Sequence, residues 1–149
     1  MGMFVRPVQL SDSSRWAAMR QALWPSGDGE HALEIAAFFN GKRHDVAEAF
    51  LAIDDSGRAV GFAEVSLRSH AESCLSTPIA FLEGWFVDQA ARRTGIGTAL
   101  IRAVEEWGRS QGCTELASDT ELDNDVSQQA HRSLGFEETD RVMCFRKTL

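Results

Sequence analysis

The chain has 149 residues, 44% of them hydrophobic and 25% charged, with a formal net charge of −7. Residues 1–149 read as a single domain of ordinary size, large enough for a substantial core, with the composition of a soluble globular protein. The acidic balance argues against a nucleic-acid-binding surface, and no apolar run approaches the length that crosses a membrane.

The start, Met1 to Arg6, lacks the architecture of a secretory signal. The cysteines Cys74, Cys113 and Cys144 are far apart, with no CxxC and no His at ligand spacing. They read as free thiols in a reducing compartment, with the cytoplasm as the expected location, and no metal site is expected. Acidic balance also suits a cationic substrate, because a negative cleft concentrates cations, but from net charge alone the reading that it aids solubility comes first.

Phe4 to Val8 reads as a first strand. Ser11 or Asp12 is placed to cap a helix with Trp16, Met19, Leu23 and Trp24 on its apolar face. Pro25 ends that helix, and Pro25 to Gly29 is a loop. His31 to Phe39 is helical and stops at Asn40-Gly41. Ala49 to Ile53 and Ala59 to Leu67 are strands joined by the hairpin signal Asp54-Asp55-Ser56-Gly57. Ser69 to Pro78 is a polar connection. Ile79 to Val87 is an apolar run of strand length, buried on both faces.

Next, Arg92-Arg93-Thr94-Gly95-Ile96-Gly97 leads into a helix whose Ile96, Leu100, Val104 and Trp107 recur at helical spacing, and Gly112 marks its end. Thr114 to Ser118 is a short strand, Asn124 to Leu134 a helix followed by Gly135, and Val142 to Phe145 a closing strand. Strands lead and the middle alternates strand with helix, so the pattern predicts a layered α/β or α+β domain.

Three features carry chemistry. The Gly-bearing turn between a strand and a helix N-terminus makes an anion site, because free N–H groups point outward and the helix dipole favours negative charge. It is neither a Walker A loop nor GxGxxG. Glu83, a carboxylate inside an apolar strand, must be paired or face a cavity, and Gly84 beside it fits a bulge. A structural Glu bonded to a backbone group or an Arg is the alternative. Asp119 follows a strand at its carboxyl end, where open α/β sheets place their sites. A calcium loop starting there fails, because Asn124 and Ala130 stand where Gly and Glu are required. Asp123 or Asn124 is the cap of the following helix.

Arg92-x-x-Gly95-x-Gly97 matches the pyrophosphate-binding signature of the GNAT acetyltransferases, and the resemblance covers almost the whole chain. It implies the GNAT fold, a mixed central sheet splayed at the fourth strand with helices on both faces. It implies acetyl-CoA as co-substrate, its diphosphate held by the turn (Arg92, Arg93, Thr94, Gly95, Ile96, Gly97 and Thr98). Trp85, Phe86 and Val87 would pair with the pantetheine arm through their backbone, and Phe86 or Val87 would polarise the acetyl oxygen.

Leu-Trp-Pro at 23–25, Phe-Leu-Glu-Gly at 81–84, Ala-Ser-Asp-Thr at 117–120 and Leu-Gly-Phe-Glu-Glu-Thr at 134–139 together resemble the aminoglycoside 6'-N-acetyltransferases. This branch implies aminoglycoside antibiotics as substrates, with Trp24, Glu83, Asp119 and Asp140 lining the pocket and Asn124 helping to hold coenzyme A. Glu83 or Asp119 would accept the amine's proton, and a homodimer is suggested, with Val142 to Phe145 as an interface strand. No nucleophilic residue is required, and Ser118 and Cys113 show no base partner in sequence. The rival readings are a GNAT acting on a polyamine or another small amine, and a coenzyme A-binding module without catalysis.

Two departures stand out. Many GNATs have a Tyr four residues before the final Gly-Phe to protonate the departing thiolate. This chain has no tyrosine, and His131 holds the position. Arg68-Ser69-His70-Ala71-Glu72-Ser73 also lacks the aromatic residue and Asn-Gly turn of the antibiotic-modifying relatives.

Overall fold

A computed structural model describes residues 2–27, 29–43 and 45–149. Asp28, in the loop expected after Pro25, lies outside the described residues. The strands are β1 (Phe4–Pro7), β2 (Glu48–Ile53), β3 (Ala59–Arg68), β4 (Ile79–Val87) and β5 (Leu116–Ser118). The helices are α1 (Ser13–Leu23), α2 (His31–Phe39), α3 (Ile96–Ser110) and α4 (Asp125–Ser133). The strands form one mixed sheet in the order β1-β2-β3-β4-β5, antiparallel except for the parallel pair β4/β5.

Helices cover both faces. On one, α3 buries Ile96, Leu100, Ile101 and Val104 against Ala52, Val60, Ala63 and Leu82. Each fully buried aliphatic side chain there contributes about 1.5–3 kcal/mol. On the other, α1 and α2 bury Trp16, Met19 and Ile35 against Leu51, Ile53 and Phe62. The hairpin between β2 and β3 closes because Asp54 accepts hydrogen bonds from the Ser56 and Arg58 amides, and Gly57 takes φ +86°. Gly112, at φ +84°, follows the end of α3.

Two expectations fail. Asp12 does not cap α1. Its carboxylate takes two bonds from Arg6, at 2.7 and 3.0 Å, and one from the Gln9 amide. The helix instead grows out of a 3₁₀ turn at Leu10–Asp12, and the Arg6 guanidinium holds the Asp12 carboxyl below the usual range. Val142 to Phe145 is not a strand. Residues 136–149 adopt no helix or strand, and Val142, Met143 and Phe145 are 56%, 80% and 88% exposed. A strand exists by its ladder, and among the described residues no backbone hydrogen bond joins Val142 to Phe145 to a strand.

The feature that positions the site is the junction of β4 with its two neighbours. On the β3 side, Glu64 faces Gly84 while Val65 faces Leu82, so Glu83 is the extra residue of a bulge. On the β5 side, pairing runs only from Ala80↔Leu116 to Leu82↔Ser118. β5 ends there, so residues 83–87 have no strand partner on that side among the described residues, and this unladdered edge is the gap of the sheet.

Candidate active site

At the far end of the gap, Arg93 and Gly95 take left-handed φ values of +64° and +86°. Gly95 occupies the capping position of α3 without a side-chain cap, and the first bond back to it comes from Ala99. The amides of Ile96, Gly97 and Thr98 therefore have no partner among the described residues, at the positive end of a fifteen-residue helix. Arg92 Nε anchors the turn to the Val87 carbonyl at 3.0 Å. Gly97 packs closely: a Cβ there would lie 3.3 Å from Trp85 Cζ2, a tight contact that the indole would have to ease by a few tenths of an ångström. Above it, the Trp85 Nε1 is buried without a hydrogen-bond partner among the described residues. A row of free amides beside an orphaned indole N–H suits an anionic ligand with acceptors along its length, as a coenzyme A diphosphate and arm would supply.

Antiparallel pairs alternate between those that exchange hydrogen bonds and those that do not. Asp88 N–H bonds to the Val60 carbonyl, so the same side of the alternation turns the Phe86 groups toward β3. The N–H groups of Trp85 and Val87 are left facing the gap. Of the two candidate oxyanion donors, this geometry favours Val87.

Glu83 stands at the mouth of the gap. Arg68 grips it with Nε to Oε2 at 3.0 Å and Nη2 to Oε1 at 2.8 Å, and the Ser66 hydroxyl donates to Oε2. The carboxylate is thus paired, as the alternative of a Glu bonded to an Arg has it, and its side chain keeps 21% exposure.

Trp24 lies across the bulge, at the end of α1. A Cβ on Gly84 would sit 2.5 Å from Trp24 Cη2, so only glycine lets the indole reach this point. Gly84→Ala is expected to destabilise the fold by about 1–3 kcal/mol through overpacking. An unchanged thermal midpoint would show that Trp24 yields freely.

Trp24 is held from behind by a buried polar network. Its carbonyl accepts from His31 Nε2 at 3.1 Å, its ring stacks on the His31 imidazole, and His31 Nδ1 accepts from Arg20 Nε. Arg20 Nη1 bonds both oxygens of Glu64 at 2.8 and 2.7 Å, Trp16 Nε1 donates to the same carboxylate, and Arg20 Nη2 reaches Glu34. Burial pushes the Glu64 carboxyl up, while Arg20, Arg43 and the Trp16 indole oppose it. Every hydrogen-bonding neighbour is a donor, which keeps Glu64 ionised.

Asp119 directly follows β5, exposed, and its side chain makes no hydrogen bond to another described residue. Asp140 lies in the tail and accepts from the Ser73 hydroxyl at 2.7 Å, on the β3–β4 connection. No bond among the described residues links it to Glu83 or Trp24. Asn124 Oδ1 caps α4 by accepting from the Ser127 amide at 3.1 Å, leaving its NH₂ for any other partner.

His131 presents neither ring nitrogen freely. Nδ1 donates to the Ser127 carbonyl at 2.7 Å, which leaves Nε2 of the neutral ring as an acceptor for the Ser118 hydroxyl at 2.8 Å. The imidazole also packs edge-on against Trp85. Ser118 thus has a base partner that sequence reasoning missed, because the two residues meet only when α4 folds over β5. The three cysteines are free, and no cluster of three or more metal-ligating side chains occurs among the described residues.

A family model described as the acetyltransferase (GNAT) family matches residues 16–136. The aminoglycoside N(6')-acetyltransferase type 1 of Klebsiella aerogenes is 51% identical over 146 residues, covering 97% of this chain and 96% of that protein. The structure of AAC(6')-Iy in complex with the bisubstrate analog CoA-S-monomethyl-acetylneamine matches with a TM-score of 0.90 and 38% identity, over 100% of both chains. The aminoglycoside antibiotic 6'-N-acetyltransferase AAC(6')-Ih from Acinetobacter baumannii also gives 0.90 at 38% identity, over 99% of each chain. A splayed sheet with an amide cradle at the gap is the architecture of an acyl-CoA-dependent transferase, and this chain belongs to the GNAT acetyltransferase family. Within that family it groups with the aminoglycoside N(6')-acetyltransferases. The family and fold expected from the sequence hold.

Proposed function

We propose that this protein transfers the acetyl group of acetyl-CoA to the 6'-amine of aminoglycoside antibiotics by direct attack in a ternary complex. The observation that carries the reading is the gap along β4, with an anion cradle at one end and an acidic, aromatic-lined mouth at the other. The relatives' names supply the drug class. A polycationic sugar needs carboxylates and a ring face, and Glu83, Asp119 and Trp24 offer both.

The amines of such a drug are protonated at neutral pH, so one must lose a proton before it attacks the thioester. Glu83 or Asp119, directly or through water, accepts it. The Val87 amide stabilises negative charge developing on the acetyl oxygen. Holding both reactants in one gap replaces a bimolecular encounter with an oriented one. A protonated His131, its Nε2 turned from acceptor to donor, passes its proton to the Ser118 hydroxyl as that hydroxyl gives its own to the departing thiolate, and the imidazole regains a proton from water. Asn124 and the turn from Arg92 to Thr98 hold the coenzyme, and Asp140 closes the drug pocket from the tail.

Residues 1–149 act as one catalytic domain in the cytoplasm, paired as a homodimer. No described helix is long and apolar enough to cross a membrane, and neither membrane nor nucleic acid is a partner in this reading. The dimer reading rests on the family resemblance and on the exposed apolar Val142, Met143 and Phe145 of the irregular tail.

The test compares neomycin, which carries an amine at the 6' position, with paromomycin, which carries a hydroxyl there. Acetyl-CoA consumption with neomycin alone is the expected result. Equal turnover of both moves the reaction to another amine on the drug. Acetyl-CoA binding with turnover of neither favours a GNAT for a polyamine or other small amine, or a non-catalytic module.

A further inference from the structure

We infer that Arg68 is a built-in competitor for the cationic substrate and sets how strongly a drug must bind to enter. This rests on the reading of Glu83 as part of the drug pocket.

The Arg68 guanidinium engages both Glu83 oxygens, at 2.8 and 3.0 Å, and its central carbon lies 3.5 Å from the centroid of the Phe81 ring. It therefore fills the two features a protonated amino sugar would use, a carboxylate for the ammonium and an aromatic face for the ring. With the Ser66 hydroxyl on Oε2 as well, three of roughly four acceptor positions on the carboxylate are taken. An ammonium brings up to three donors of its own and the same charge as Arg68, so full engagement of Glu83 requires the guanidinium to leave.

The side chain is placed to do so. Arg68 is the last residue of β3, and its side chain is 43% exposed against 21% for Glu83. Its exit into solvent uncovers Phe81 at the same moment that it frees Glu83. Ser66, buried in the same strand, stays behind and keeps the carboxylate oriented. A substrate with several ammonium groups can offset the lost ion pair elsewhere in the acidic pocket. A monoamine has no such compensation. Arg68 thereby favours polycations over simple amines.

The test measures neomycin and acetyl-CoA kinetics, with calorimetric binding of neomycin, for the wild-type protein, Arg68→Gln and Arg68→Lys. Arg68→Gln is expected to lower the neomycin KM and Kd by about threefold to fivefold, the scale of one partly exposed ion pair. The acetyl-CoA KM stays unchanged, and Arg68→Lys remains near wild type. The salt dependence of neomycin binding steepens in Arg68→Gln, because a cation-for-cation exchange on Glu83 becomes a net charge pairing. A neomycin KM and Kd equal to or above wild type in Arg68→Gln overturns the inference while leaving the function intact. A wild-type protein that neither binds nor acetylates neomycin removes both.

Discussion

Glu83→Gln is expected to lower aminoglycoside turnover by about a hundredfold or more, the range over which a positioned general base contributes, with acetyl-CoA affinity unchanged. The two effects separate because the residues lie at opposite ends of one gap. The coenzyme cradle is built from backbone amides around Gly95 and Gly97, which have no contact with the carboxylate. Glutamine keeps the size of the side chain, so the bulge and Trp24 stay in place. What it removes is the ability to take a proton, together with the charge that attracts the drug. Asp119→Asn is the companion measurement, since that carboxylate is exposed and free of hydrogen bonds to other described residues. A large loss in one variant alone identifies the base. Undiminished turnover in both discards the carboxylate mechanism.

Arg20→Leu is expected to cost about 3–5 kcal/mol of stability, because it removes the bidentate partner of buried Glu64 and leaves only Arg43, at 3.9 Å, and the Trp16 indole to offset its charge. Arg20 is 3% exposed and Glu64 1%, so water cannot take over the lost contacts. For a domain of this size the loss corresponds to a fall in thermal midpoint of roughly ten degrees. Pairing it with Glu64→Leu should recover much of the loss, since a well-packed apolar pair often replaces a buried ion pair at little cost. The double variant tests more than stability. Arg20 also holds His31, which holds the Trp24 carbonyl. A protein restored in melting temperature but raised in drug KM would assign the network to positioning Trp24. A double variant as unstable as Arg20→Leu would show that the charges are not the source of the cost.

The parts of this molecule written in local pattern were readable from sequence. The apolar run Ile79–Val87 is β4 to the residue, and the glycines at 95 and 97 precede and open α3 as expected. Gly84 marks the bulge, because a glycine amid bulky residues signals that something else needs the space. The failures share one cause. Arg20 and Glu64 are 44 positions apart, Arg68 and Glu83 are 15 apart, and Ser118 and His131 are 13 apart. No periodicity marks such pairs, which exist only after the elements dock. Asp12 was misread for the same reason, since its partner Arg6 lies across the β1–α1 turn. The closing strand was expected from apolar residues alone, which record a wish for cover without naming its source.

The extra residue in β4 acts as a phase shift. Before it, Ala80 and Leu82 point to the α3 side of the sheet; after it, Trp85 and Val87 do. An even step has become an odd one, and both Glu83 and Gly84 are spent on the crossing. One continuous strand can therefore turn Glu83 toward Trp24 and Arg68 while turning Trp85 toward the helix that carries the cradle. Were the same residues to run through without a bulge, strict alternation would put Trp85 on the face of Glu83, and the indole and the carboxylate would meet the same side of the sheet. Removing Glu83 or Gly84 would leave Trp85 and Val87 on their present face, because plain alternation in the same β3 register is restored, but it would take away either the carboxylate or the space into which Trp24 fits.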